Sequence, residues 1–262
     1  MNTAERKYYY YRPLILAYHS VSDRYDGNLA VPPAVFERQM AFLSQRGYRS
    51  MTLETFVRQP LARPEKIVIL TFDDGYADNH AVAFPILKKY GLTGTIFVTA
   101  DYVNTDHIYS WDKNRIKSPE DEAAYRLLTL DQIFEMMEYG MEFGSHTSTH
   151  AILPILSEEQ CWREIHASRE SLSRMLDQPV TSFCYPEGKL NDRIVQMVAG
   201  AGYACGVVTP PRAGLPLSRY TLRRAGVYRS TSPLAFRLKM SPFVMRYREL
   251  FMQRQSGSAV SA

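Results

Sequence analysis

Residues 66–75, Lys-Ile-Val-Ile-Leu-Thr-Phe-Asp-Asp-Gly, constrain the fold more than any other stretch of the chain. Four consecutive apolar residues, Ile67 to Leu70, read as a strand buried on both faces, which requires covering layers on each side. The strand delivers Asp73 and Asp74 side by side, with Gly75 to turn the chain. Two neighbouring carboxylates at the end of a buried strand repel each other, and a divalent cation is the commonest group that offsets the cost. Taken alone, the stretch also reads as a plain turn in which Asp73 caps the following helix.

A second stretch changes the balance. Phe143-Gly-Ser-His-Thr-Ser-Thr-His150 is again a short strand ending in polar residues. His146 and His150 stand four apart, a spacing that can put two imidazoles on one side of a helical turn. One carboxylate and two imidazoles make a three-ligand set with room for water, the pattern of a catalytic zinc site.

Thr71-Phe-Asp-Asp-Gly75 and His146-Thr-Ser-Thr-His150 resemble the first two motifs of the polysaccharide deacetylases, the NodB-homology or carbohydrate esterase family 4 group. The resemblance runs from near Leu14 to near Phe236. It implies Asp73 as general base, and Asp74, His146 and His150 as ligands of a divalent metal. Zinc is the first expectation; cobalt, nickel or iron would fit the same ligands. The family's third motif, Arg-Pro-Pro-Tyr-Gly, corresponds to Cys184-Tyr185-Pro186-Glu187-Gly188. By that likeness the N–H of Glu187 is the oxyanion donor, and Tyr185 and Pro186 lie beside the substrate. Cys184 replaces the family's arginine, and Arg224 resembles an arginine of the permuted poly-N-acetylglucosamine deacetylase branch. Tyr18-His19 resembles the opening of that branch, where an early histidine is the general acid. The usual late acid motif, Leu-x-His, is absent, because no histidine follows His166. The implied fold is a distorted (β/α) barrel of about seven strands.

The rest of the chain agrees with an α/β fold built on a largely parallel sheet. Leu14 to Tyr18, Tyr48 to Leu53, Thr95 to Thr99, Ser182 to Tyr185 and Cys205 to Thr209 read as strands. Between them lie helical patterns stopped by Gly47, Gly91 and Gly140, and a long one from Ser157 through Leu176. His19, Asp73, His146 and Tyr185 all fall just past strand ends, where barrels of this kind place catalytic groups. Residues 101–129 form an irregular, aromatic-rich segment holding Tyr102, Tyr109, Trp111, Asp112 and Tyr125. Trp111 is the candidate sugar-binding wall there, or else the anchor of the loop.

A length of 262 residues and 45% hydrophobic content suit one large domain. We expect an N-terminal extension over 1–13 and a deacetylase-like domain over 14–233. A basic amphipathic helical segment over 234–255 and a small polar tail over 256–262 would follow. A net charge of +4 with both signs interspersed argues against nucleic acid as a partner. Three cysteines, no signal-peptide pattern and no spanning run predict a cytoplasmic protein. Residues 234–254 mix apolar and arginine positions and predict a peripheral membrane contact, or a helix packed on the barrel wall. Oligomeric state is not legible. The expected activity is metal-dependent removal of N-acetyl groups from an amino sugar in a polysaccharide, oligosaccharide or glycolipid precursor. Two alternatives stand beside it: a cysteine-based amide hydrolase using Cys184, and an inactive carbohydrate-binding barrel.

Overall fold

The computed structural model describes residues 13–25, 27–59, 65–209 and 218–241. The N-terminal extension up to residue 12, the part of segment 234–255 beyond Ser241 and the tail 256–262 lie outside the described residues.

Eleven strands follow in chain order among the described residues: β1 (Leu14–Tyr18), β2 (Ser20–Val21), β3 (Ala30–Val31), β4 (Arg49–Ser50), β5 (Ile67–Phe72) and β6 (Thr95–Val98), then β7 (Glu142–Ser145), β8 (Ser182–Cys184), β9 (Cys205–Val208), β10 (Leu222–Arg223) and β11 (Ala225–Gly226). The main sheet runs β10-β9-β8-β7-β6-β5-β1-β11, and every pair in it is parallel. β10 and β11 are separated only by Arg224, so one extended stretch pairs with β9 on one side and β1 on the other. That shared stave turns the sheet into a nearly closed barrel of seven staves, surrounded by helices. Tyr48 to Leu53 keeps only β4 as strand, since Leu53 already opens the helix Leu53–Arg58.

Alternation along each strand sorts the side chains. Leu16, Tyr18, Val68, Leu70 and Phe72 join the large core between barrel and helices, while Ile15 and Ile69 join a smaller core inside the barrel. The same parity puts His19, Thr71, Asp73, Cys184 and Arg224 on the inward side at the carboxyl ends of their strands. Gly144 keeps this interior open, because a Cβ there would lie 2.6 Å from the Phe97 ring.

At the other end, the floor is polar. Glu142 is buried, accepts hydrogen bonds from Thr95 and Ser182, and also accepts the N–H of Glu54 at 3.0 Å. Thus the first turn of Leu53–Arg58 is fastened across the barrel bottom.

The covering helices start where the sequence supplies caps. Thr129 and Ser157 form capping boxes with Gln132 and Gln160, opening Leu130–Glu138 and Glu158–Met175. Pro85 has no N–H to continue an α ladder, and the turn before it widens to a π-helix over Asn79–Ala83. Residues 101–129 are more ordered than the sequence suggested. They hold short helices at Ser110–Lys113 and Pro119–Ala123, fixed on a core of Tyr25, Tyr76, Tyr109, Tyr125 and Leu127. Among the described residues no helix is long and apolar enough to cross a membrane.

Candidate active site

The chain leaves β5 through two successive residues with left-handed backbone, Asp74 (φ 71°) and Gly75 (φ 71°). A side chain at Gly75 would meet Val98 at 2.9 Å, so this turn needs glycine on both counts. The reversal leaves Asp73 and Asp74 pointing at different partners. Six non-glycine residues with positive φ occur among the described residues, and four of them, Asp74, Thr147, His150 and Glu187, lie in the three motif stretches. Such backbone is costly for L-residues and persists where surrounding structure imposes it.

Asp74, His146 and His150 converge. Oδ1 of Asp74 lies 3.5 Å from Nε2 of His146 and 3.4 Å from Nε2 of His150. These separations are long for hydrogen bonds, whereas ligands of a tetrahedral ion at ~2.1 Å stand roughly 3.4 Å apart. The Cys184 carbonyl can only accept, so at 2.8 Å it takes the Nδ1–H of His146 and leaves the Nε2 lone pair for a cation. The residues fit a divalent metal, with all three ligand atoms within 4.8 Å of one another. The histidine spacing works differently from a helical turn. Residues 146–150 are a bent loop, held by Ala100 N–H on Thr147 O, Asp101 N–H on Ser148 O, and Glu164 on Thr149.

Asp73 has a separate environment. Arg224 donates Nη1–H to Oδ1 and Nη2–H to Oδ2, each at 2.6 Å, in a bidentate pair buried inside the barrel. Thr71 Oγ1, Thr209 Oγ1 and the Cys184 sulfur accept the other guanidinium hydrogens at 2.9, 2.8 and 3.1 Å. Burial alone would raise the Asp73 carboxyl, but Arg224, helped by His19 and His146, holds it below the usual carboxylate range. Nε2 of His19 lies 3.9 Å from Oδ2 of Asp73. Base candidate, ligand set and acid candidate therefore share one mouth of the barrel.

Comparison with known proteins fits this arrangement. The sequence profile named polysaccharide deacetylase matches residues 61–206, more than half of the chain. The YxkH protein of Bacillus subtilis, which bears the same family designation, is 33% identical over 226 residues, 85% of this chain and 74% of that protein. The chain belongs to the polysaccharide deacetylase family. The Streptococcus pyogenes deacetylase PplD, solved in complex with acetate, superposes with a TM-score of 0.71 at 29% identity, covering 88% of this chain and 98% of that one. The poly-beta-1,6-N-acetyl-D-glucosamine N-deacetylase of Staphylococcus aureus is 24% identical over 202 residues, 73% of this chain and 65% of that enzyme. IcaB from Ammonifex degensii shares the fold, with a TM-score of 0.68 at 21% identity.

Other residues singled out in the sequence fall in different places. Trp111 is half-exposed, stacks on Tyr109 at 4.3 Å, lies 4.8 Å from the His150 ring, and donates its indole N–H to Tyr76 at 3.3 Å. It anchors the loop and leaves part of its ring exposed. Tyr185 is not at the mouth: its ring is buried against Phe183 and its hydroxyl donates to the Tyr220 carbonyl at 2.9 Å. A ring inside the core cannot face a sugar, and this corrects the expectation for its side chain. Pro186 is buried too and shapes the turn. The turn's own hydrogen bonds run from Gly188 to Tyr185 and from Lys189 to Pro186, and neither uses the Glu187 N–H. The Glu187 carboxylate pairs with Lys189 at 2.6 Å.

Cys184 is no nucleophile of the usual kind. Its thiol is fully buried, burial pushes its pKa well above the ordinary value, and its sulfur accepts from Arg224. Sequence reasoning gave no individual role to Thr71, to Thr209 or to Tyr109, whose hydroxyl donates to the Asp74 carbonyl at 3.0 Å. Inward parity on the strands would have flagged the first of these.

Proposed function

We propose that this polysaccharide deacetylase removes N-acetyl groups from an amino sugar within a glycan or glycan precursor, using a divalent metal at Asp74, His146 and His150. The observation that carries the reading is the pairing of that open three-ligand set with a second, arginine-clamped carboxylate beside it. Two nitrogens and one carboxylate oxygen suit zinc first. The bound cation supplies Lewis acidity toward the acetyl carbonyl and toward water.

The chain's own groups do the rest. Asp73, kept ionised by Arg224, accepts a proton from the attacking water as its oxygen bonds to the acetyl carbon. The Glu187 N–H donates to the developing oxyanion. As the C–N bond breaks, His19 gives its proton to the departing amine nitrogen, and acetate and the free amino sugar leave. Trp111 offers an apolar face at the rim for a sugar ring.

The test is elemental analysis of the purified protein together with acetate release from chitooligosaccharides and simple N-acetylhexosamines. One bound divalent metal and chelator-sensitive acetate release are expected. Acetate release that survives full removal of metal would overturn the reading.

We also infer peripheral membrane contact through the helix Pro233–Lys239. Leu234 is 67% exposed and Leu238, one turn on, is 47% exposed, with Arg237 between them. Reduced pelleting of Leu234→Ser/Leu238→Ser with anionic liposomes is the expected result; unchanged pelleting refutes it.

A further inference from the structure

Among the described residues, no side chain hydrogen-bonds the far nitrogen of the His19 ring. Its Nδ1 is buried and has no hydrogen-bond partner among the described residues, and its Nε2 faces Asp73 at 3.9 Å. In many sites a carboxylate on the far nitrogen fixes an acid–base imidazole; among the described residues none does so for His19. The backbone that carries the ring is held by side-chain hydrogen bonds at and just after His19.

The residues that hold it come from the turn after the Asp pair. The Asn79 side-chain amide donates to the His19 carbonyl at 2.8 Å. The Asp78 carboxylate accepts the Ser20 hydroxyl on one oxygen, and the Val21 N–H at 3.1 Å on the other. Asn79 Nδ2 also donates to Asp78 Oδ1 at 2.8 Å, joining the two side chains into one unit. Three successive residues, His19, Ser20 and Val21, are thus tied to two adjacent side chains. On the preceding side, Tyr18 is locked outside the barrel by stacking on Phe72 and by its hydroxyl on Gln39 at 2.9 Å.

We propose that Asp78 and Asn79 are positioning residues that clamp the 19–21 backbone and so aim the His19 imidazole at the leaving nitrogen. The proposal rests on His19 being the general acid. The clamp grows from the same turn that carries Asp73 and Asp74, so acid, base and metal ligand are indexed to one short segment. A displacement of about 1 Å at a proton donor can cost on the order of a hundredfold in rate.

A change of leaving group provides the experiment. An amine leaves an N-acetyl amide only with a proton, whereas the phenolate of 4-methylumbelliferyl acetate leaves without one. Asp78→Ala is expected to lower kcat on N-acetylated chitooligosaccharide about 10- to 100-fold with KM within about 3-fold. Its ester hydrolysis should stay within about 3-fold of the parent, and Asp78→Asn, which keeps an acceptor for Val21, should recover part of the amide activity. His19→Ala should show the same selective loss, only larger. If His19→Ala is selective and Asp78→Ala hydrolyses both substrates at parental rates, or loses both equally, the clamp is overturned while the acid assignment stands. If His19→Ala loses both substrates equally, the acid assignment fails first. Should Asp78→Ala not fold, Ser20→Ala removes one hydrogen bond of the clamp: a selective amide loss supports the proposal, and an unchanged amide-to-ester ratio overturns it.

Discussion

Arg224 grips both oxygens of Asp73 at 2.6 Å, although 151 residues separate the two in the chain. Removing one partner from such a buried pair leaves an uncompensated charge, at a cost of roughly 3–5 kcal/mol. Arg224→Met should therefore destabilise the fold by about that much in urea unfolding and abolish turnover. Asp73→Asn/Arg224→Met should regain most of the stability and none of the activity. An Arg224→Met protein as stable as the parent would refute the pairing.

Metal and base roles separate by substitution. Replacing Asp74, His146 or His150 by Ala should empty the metal site and end acetate release, measured by elemental analysis and acetate assay. Asp73→Asn should keep the metal and lose turnover by roughly 10²–10⁴-fold. A metal-free yet active Asp73→Asn protein would exchange the roles of the two carboxylates.

Cys184→Ser should retain most of the activity, because a serine hydroxyl can take over the acceptor role of the sulfur toward Arg224. Alkylating reagents should leave the native parent active, since the thiol is buried. Rapid inactivation by alkylation with metal still bound would favour the thiol mechanism.

Asp78 gives a pH signature in stability. Burial pushes its carboxyl up to about 6, against ~3.9 in an unfolded chain. A raised folded-state pKa means its stabilising contribution is full below the unfolded value and is lost as pH rises through the folded one. Between pH 7.5 and pH 5 the parent should gain about 1 kcal/mol relative to Asp78→Asn, read as the difference between their urea unfolding free energies. A parent-minus-variant difference that stays flat over this range contradicts the shift.

Glu142 anchors the barrel floor. Glu142→Ala would strand the hydroxyls of Thr95 and Ser182 and the N–H of Glu54, at a cost of ~1–3 kcal/mol for each donor left unmet. A lowered melting temperature with metal content intact is expected. Unchanged thermal stability would show that water replaces the carboxylate freely.

Local signals made much of this protein legible in one dimension. The all-apolar run Ile67 to Leu70 specified a strand covered on both faces, and β5 is buried at every position, between β1 and β6 in the barrel wall. Ser157 with Gln160 marked a helix start because capping is a contact between residues three apart. The convergence of Asp74, His146 and His150 was readable because a strand end brings its next residues to the mouth whatever the rest of the chain does.

Only the tertiary structure decided what depends on distant parity and closure. Whether Arg224 is a surface arginine or the partner of Asp73 turns on one stretch, 222–226, pairing with β9 on one side and β1 on the other. The histidine loop is bent rather than helical because contacts from residues 100–101 and Glu164 impose left-handed backbone on Thr147 and His150. Tyr185 left the expected site because its neighbour Cys184 took the inward parity and sent the ring into the core. In each case the deciding energy is burial or pairing between residues far apart in sequence, which no local pattern encodes.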